Sequence, residues 1–467
     1  MRSRLRRRWG WRGGIIGEDA IGDSIGFMDK QQHKEYKRLL IISHNSFSDT
    51  KSNGKVLTSL FRTWPKDKIA QLYFWNEWPS QTVCSRFFRL RDHDILKGNL
   101  TGKPAEGTEI DQQTSTPDTP ASDDASRKSI VSSVIYGVFA NRVPIAELTR
   151  DIMWRKSKYA SPQLIKWLDT YKPEVLFLQG SYMSFAYRIA LWICDQSGAQ
   201  LQISLTDDET FVKNRFSPFA WINYARLHKW FSRSLRKSSA TYAIVPAMKE
   251  AFEAKYKCEN MHFASNGIDV RPFDDEEQNA ESELQLLYAG NVGLNRWKIL
   301  RSLGKSLCEL KKKGCNARLE VYSPVHVPEK IQKALTIGNV MSYEGSLKAE
   351  ELAGVIKRSN VLVHVESFGR KYRRVTRLSL STKIAESLIS GRCLLAIGPG
   401  DVSSIGYLKD FAAAHVICSN NTEQVEREML PIFNADYRRR IAKTAYSVAL
   451  KNHDVEKIRK TIWDNLC

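Results

Sequence analysis

The sequence predicts an α/β fold built from two Rossmann-like domains facing each other across a cleft. Three observations predict it. Strand-like apolar runs alternate with helix-patterned segments along most of the chain, and such alternation builds parallel sheets covered by helices on both faces. The alternation occurs twice, in two halves separated by the acidic, polar stretch 269–283. With 467 residues, of which 42% are hydrophobic, the chain is long enough for two full cores. No apolar run reaches the roughly 18 residues that cross a bilayer.

In the first half, strands are expected at Arg38–Ser43, Ile69–Phe74, Glu174–Gln179, Leu201–Thr206, Thr241–Val245 and Met261–Ala264, the last closed by the Asn266-Gly267 turn. Residues 97–129 contain few large apolar side chains and read as a disordered insertion or long surface loop. In the second half, strands are expected at Leu284–Ala289, Ala317–Tyr322, Val340–Tyr343, Val361–Val365, Cys393–Ile397 and Ala414–Ile417. Between them, Ile299, Leu300, Leu303, Leu307 and Leu310 form a helical stripe, and Glu351–Lys357 another helix. The domains are therefore read as 36–268 and 269–435, with a disordered basic extension (1–35) ahead of them and helices (436–467) behind.

Lys and Arg number 71 against 51 Asp and Glu, a net charge of +20. The excess is clustered: six arginines lie among the first twelve residues beside Trp9 and Trp11, with further groups at Arg370–Arg377 and Arg438–Arg440. A basic surface implies a polyanionic partner, which is a nucleic acid, an anionic membrane or a phosphorylated ligand. No recognition helix or aromatic RNA-binding signature accompanies the charge, so nucleic acid is the least supported of the three. The eight cysteines include no C-x-x-C pair, and no histidines sit at metal-ligand spacing. Several cysteines fall in apolar segments, as reduced core thiols do, which points to the cytosol. No apolar core followed by a small-residue cleavage site occurs at the amino terminus. Met28, before the polar lead into the first strand, is an alternative start, and a tryptophan-bearing membrane anchor is the competing reading of the extension.

Four segments carry the chemistry. Ser379, Ser381 and Thr382 supply capping hydroxyls to a helix in which Ile384 and Leu388 repeat at helical spacing and which Gly391 ends. Its amino terminus is anion-ready, and Lys383 and Glu386 share one face. After the first strand, Ser52-Asn53-Gly54 places a residue without a side chain where a helix begins, so a ligand can approach the backbone. After Leu287-Tyr-Ala289, Gly290 and Gly293 bracket a tight turn that delivers Arg296 to the cleft, where a guanidinium grips a diphosphate through two hydrogen bonds; Lys298 is the alternative. The strand Val361–Val365 ends in Glu366, at the kind of sheet edge where ligands gather in open α/β folds.

Taken in order, Ser52-Asn-Gly54, Ala289-Gly-Asn-Val-Gly293 with Arg296, Val365-Glu-Ser-Phe368, and Ser381-Thr-Lys-Ile-Ala-Glu386 followed by Ser390-Gly-Arg392 resemble the retaining GT-B glycosyltransferases of bacterial capsule, exopolysaccharide and lipopolysaccharide assembly. The resemblance covers about residues 36–460 at the level of elements. It implies terminal helices that cross back onto the first domain. Glu366 then lies near the donor sugar and Glu386 holds the ribose, with the basic segment Arg370–Arg377 inserted between them. Asn291 stands where the family has an arginine, so diphosphate binding rests on Arg296, Lys383 and the amides of Ser381 and Thr382. Thr206 or Asp207 takes the position of the family's histidine, and Asp207 is the candidate catalytic partner of Glu366.

The resemblance implies transfer of a sugar from a nucleotide diphosphate sugar to a glycan or lipid-linked glycan acceptor, at the cytosolic face of the membrane. It implies no cofactor beyond the donor substrate and no metal, Asp207-Asp208-Glu209 being a poor D-x-D. The alternative reading is a non-catalytic scaffold of the same fold that binds a partner or an anionic membrane through its basic surface.

Overall fold

A computed structural model describes residues 35–49, 52–80, 82–110, 143–208, 210–212, 216–274 and 283–466. The N-terminal extension, residues 111–129 of the polar stretch and 275–282 of the linker lie outside the described residues.

The first sheet comprises β1 (Leu39–Ser43), β2 (Ile69–Tyr73), β3 (Arg86–Arg89), β4 (Thr108–Ile110), β5 (Val175–Gln179), β6 (Gln200–Leu205), β7 (Ser238–Ala243) and β8 (Met261–Phe263), in the order β4-β3-β2-β1-β5-β6-β7-β8. All neighbours are parallel except the edge strand β4, which runs antiparallel to β3. Every residue of β1, β2 and β5 is buried, as in strands covered on both faces. Two strands, β3 and β4, were not expected. The second corrects the reading of 97–129 as wholly irregular: Asp92–Thr101 is a helix, Gly102 turns it in a left-handed conformation (φ 75°), and β4 follows.

The second sheet comprises β9 (Leu284–Ala289), β10 (Ala317–Tyr322), β11 (Met341–Gly345), β12 (Val361–Val365), β13 (Cys393–Ile397) and β14 (His415–Ile417). Its order is β11-β10-β9-β12-β13-β14, all parallel. The helix Arg296–Lys312 lays its stripe of Ile299, Leu300, Leu303, Leu307 and Leu310 into the core beneath this sheet. Each such side chain, fully buried, contributes about 1.5–3 kcal/mol.

Two terminal helices join the halves. Ala435–Asn452 packs against β13 and the helix Thr382–Leu388, whereas Val455–Leu466 crosses to the first half and packs on the helix Ser52–Phe61. The buried Arg459 donates through Nε to the Ser59 carbonyl (2.9 Å), and Trp463 meets Trp64 edge to face at 5.3 Å. At the crossing, His453 bonds the Asn266 carbonyl through Nδ1 (3.0 Å) and the Tyr407 hydroxyl through Nε2 (2.9 Å). Burial lowers the His453 pKa to about 4, so the joint stays uncharged at neutral pH.

Gly54 shows why one position near the cleft must lack a side chain. A Cβ there would lie 2.5 Å from the Ser46 carbonyl oxygen and 2.7 Å from the Ser48 Cβ, both on the turn after β1. Gly54→Ala should therefore push the helix start away from that turn and lower stability by about 1–3 kcal/mol, read as a shift of the urea midpoint.

Candidate functional site

In an open parallel sheet, a crevice forms where the strand order reverses, beyond the carboxyl ends of the two central strands. The reversals here fall between β1 and β5 in the first sheet and between β9 and β12 in the second. The segments leaving those strands are His44–Asn45, Gly180–Ser181, Gly290–Asn291 and Glu366–Ser367.

The turn after β9 is built from its own sequence. Gly290 N donates to the Tyr322 carbonyl (2.9 Å), the Tyr288 hydroxyl donates to the Asn291 carbonyl (2.8 Å), and the Asn291 side-chain oxygen accepts from Gly293 N (2.7 Å). Leu294 and Asn295 then take left-handed conformations (φ 54° and 63°), and the helix begins at Arg296. Asn291 thus spends its side-chain oxygen on bracing the turn, and Lys298 is exposed beside the Trp297 ring.

Arg296 points back under the sheet edge, where Nη2 donates to both carboxylate oxygens of Glu366 (2.9 and 3.1 Å). Glu366 is almost wholly buried, its Cβ close against Gly398, so that a Cβ on that glycine would be 3.0 Å from it. Burial pushes its pKa up, and the Arg296 guanidinium pulls it back. His364, also from β12, places Nε2 3.6 Å from Glu366 Oε1; burial and the nearby Arg296 lower its pKa to about 3, so it stays neutral. The expected grip on a diphosphate is thus occupied in part by Glu366, although among the described residues only Nη2 of the guanidinium finds a partner.

The helix Thr382–Leu388 brings the next group. Lys383 donates through Nζ to the Ala289 carbonyl, at the start of the β9 turn. Burial lowers its pKa, with Arg296 acting in the same direction and Glu386 opposing. Arg296, Glu366, Lys383 and Glu386 therefore form one cluster in which each feels its neighbours. Glu386 is exposed and reaches across to Lys55 on the helix Ser52–Phe61 (3.8 Å), a contact between the two sheets' domains. The capping expected of the serines is not what the structure contains. Ser381 is the N-cap but its side chain accepts no capping bond, and Thr382 is exposed. Ser379 Oγ instead donates to Asp207 Oδ1 (2.6 Å), because the opposing domain offers a carboxylate at that point.

Asp207 lies on the first-domain wall, where a cavity of about 260 Å³ opens beyond β1, β5 and β6, lined by His44, Gln179, Ser181, Tyr182, Thr206 and Asp207. His44 Nε2 is 2.6 Å from Ser181 Oγ, and the imidazole stacks on Tyr182 at 5.8 Å. Asn53, the residue before Gly54, lines this cavity too. Sequence reasoning did not select His44, Ser181 or Tyr182, although each lies within three residues of the end of a strand that reads clearly as apolar, which is the signal that could have found them. Among the described residues, no group of three or more His, Cys, Asp or Glu could hold a metal ion.

No protein-family model matches the chain, and no curated protein matches it by sequence. Solved structures do match in shape. The α,α-trehalose 6-phosphate synthase of Burkholderia multivorans superposes with a TM-score of 0.58 at 8% identity, over 92% of this chain and 96% of the synthase. The UDP-forming α,α-trehalose-phosphate synthase of Burkholderia xenovorans, solved with glucose 6-phosphate, gives 0.58 at 9% identity, covering 92% and 99% of the two chains. Sucrose-phosphate synthase from Thermosynechococcus elongatus gives 0.56 at 11%, covering 91% and 98%. With both parallel sheets, the cleft and the crossing terminal helices in place, this chain has the two-domain GT-B fold.

Proposed function

We propose that this chain is a glycosyltransferase that moves a sugar from a nucleotide diphosphate sugar to a glycan or lipid-linked glycan acceptor, with retention of configuration, at the inner face of the cell membrane. One observation carries the reading: two cations, Arg296 and Lys383, and two carboxylates, Glu366 and Glu386, converge at the reversal point of the second sheet, opposite a polar cavity at that of the first. In this reading the unused guanidinium donors of Arg296 and the Lys383 ammonium take the leaving diphosphate. Charge developing on that group is what a preorganised pair of cations stabilises. Glu386 accepts from the ribose hydroxyls, and Glu366 lies where positive charge builds on the sugar. The acceptor sugar occupies the cavity that Asp207 and His44 line, and motion of the domains about the crossing helices excludes water. The structural neighbours support the donor class, since the Burkholderia xenovorans synthase is UDP-forming and carries a sugar phosphate.

Thermal unfolding measured with a panel of nucleotide diphosphates and their sugars tests it. A ligand held at a hundred times its dissociation constant should add about 2.7 kcal/mol of stability. Glu386→Ala, an exposed position, should leave the melting temperature of the free protein unchanged and shrink that ligand-induced shift. The absence of a shift with every nucleotide, together with tight binding to anionic vesicles, would instead favour a non-catalytic scaffold.

A further inference from the structure

A second cavity, of about 420 Å³, lies on the other side of the Asp207-Asp208 step and is lined by Asp208, Trp221, Tyr224, Lys255, Arg374 and Arg377. Thr210 lines both cavities, so the two adjoin. Its cations come from both domains: Lys255 from the helix Pro246–Tyr256, Arg374 from the helix Arg370–Thr376 and Arg377 just after it. Asp208 is already committed, accepting from Arg377 Nη2 (3.0 Å) through one oxygen and from Thr210 N and Oγ1 (3.0 and 2.8 Å) through the other. Among the described residues, Lys255 has only the long contacts to Thr210 (3.3 and 3.4 Å) and lies above the rings of Tyr224 and Tyr256. Arg374 is exposed and makes no ion pair among the described residues. Among the described lining residues, three cations against one carboxylate leave two positive charges facing one small cavity. Such a cavity is complementary to a phosphoryl group, which accepts from forked guanidinium donors.

The rim is apolar. Trp221 on the lining is 49% exposed, and its neighbours on the same turn, Phe219 and Ile222, are 38% and 46% exposed. The helix Pro144–Met153 packs beside the helix Pro218–Lys237, which carries Trp221, through Asn223 to the Pro144 carbonyl (2.7 Å) and Arg226 to Asp151 (2.6 Å). It adds Ile145 and Ile152, 49% and 52% exposed and seven residues apart on one face. Exposed apolar side chains gathered beside a polar cavity mark a binding surface.

We propose that this cavity binds the phosphoryl group of the acceptor, a phosphate or diphosphate ester of an apolar alcohol whose tail lies over Phe219, Trp221 and Ile222. The proposal rests on the glycosyltransferase reading for its meaning, but its site is separate from the donor cluster. An acceptor seated with its phosphoryl group here reaches the first cavity past Thr210 with its sugar. Because Arg374 and Arg377 belong to one domain and Lys255 to the other, the bound anion also draws the domains together. Burial lowers the Lys255 pKa, with Asp208 opposing and Arg377 reinforcing, and an arriving anion relieves that cost.

Calorimetric titration of the full chain with farnesyl phosphate below its micelle concentration, inorganic phosphate and glucose 6-phosphate tests this. Farnesyl phosphate should bind at least tenfold tighter than either of the others. Arg374→Glu should weaken it at least tenfold, Trp221→Ser with Ile222→Ser should erase its advantage, and Lys383→Met should change nothing. Unchanged affinity in Arg374→Glu overturns the site, and glucose 6-phosphate binding as tightly as the farnesyl ester overturns the apolar tail. Thermal shifts with nucleotides, read on the same variants, separate failure of this site from failure of the donor reading: Arg374→Glu should retain them in full.

Discussion

Under the proposed function, replacing Arg296 with Met is expected to cut sugar transfer by about 10²–10³-fold, the usual cost of removing one preorganised donor from a developing negative charge. The same change should also damage the fold, for a different reason. Glu366 is buried against Arg296, with both oxygens on one guanidinium nitrogen. Taking away the cation strands the carboxylate, and breaking a buried pair from one side costs about 3–5 kcal/mol. Burial already raises the Glu366 pKa, and without Arg296 nothing strong lowers it. An acid whose folded pKa exceeds its unfolded value binds more protons in the native state, so stability falls as pH rises from the unfolded value through the folded one. Arg296→Met should therefore be most stable in mild acid and lose stability toward neutrality, whereas Arg296→Met with Glu366→Leu should lose most of that slope. Urea midpoints followed from mild acid to neutrality check it. A flat pH profile for the single variant would mean that the pair contributes little to the fold.

Lys383→Met should give the opposite combination: transfer falls by about 10²-fold or more, and stability stays within about 1 kcal/mol of the parent or rises. Lys383 is held with its pKa lowered by burial, reinforced by Arg296. A lysine whose folded pKa is depressed loses protons on folding at high pH, so keeping it charged near neutrality destabilises the native state. Methionine fills the same volume without that charge, and what is lost is the bond to the Ala289 carbonyl. Single-turnover transfer rates and melting temperatures on one preparation would read both sides. Loss of activity together with a large loss of stability would show Lys383 to be a structural tie. Arg296 and Lys383 thus differ in kind although both are cations at one edge: the first balances a buried carboxylate, and the second is held against burial.

The central strands were legible because each is covered on both faces and so reads as an unbroken apolar run, as in Leu-Leu-Ile-Ile of β1 and Cys-Leu-Leu-Ala-Ile of β13. The strands β3 and β4, at one end of the first sheet, were not. Arg86-Phe-Phe-Arg89 has a charge at each end, and only the fold explains why Arg89 is buried there, with its guanidinium over the Trp78 ring at 5.3 Å. Thr108–Ile110 is three residues long and takes its strand conformation from pairing with β3.

At the cleft, local sequence specified the pieces: a glycine turn ahead of Arg296, a carboxylate at the end of β12, and a helix carrying Lys383 and Glu386 on one face. These are properties of periodicity and turn chemistry that act over a few residues, and they are present whether or not the chain is folded. Pairing is a different matter. Glu366 meets Arg296 from 70 positions away, Ser379 meets Asp207 from 172, and Arg377 meets Asp208 from 169. No local signal encodes such contacts, because they depend on strand order in the two sheets and on how the crossing helix Val455–Leu466 holds the domains. The sequence by itself determined a two-sheet α/β chain with charged groups at its strand ends. Only the tertiary structure decided which of those charges neutralise each other and which are left facing a cavity.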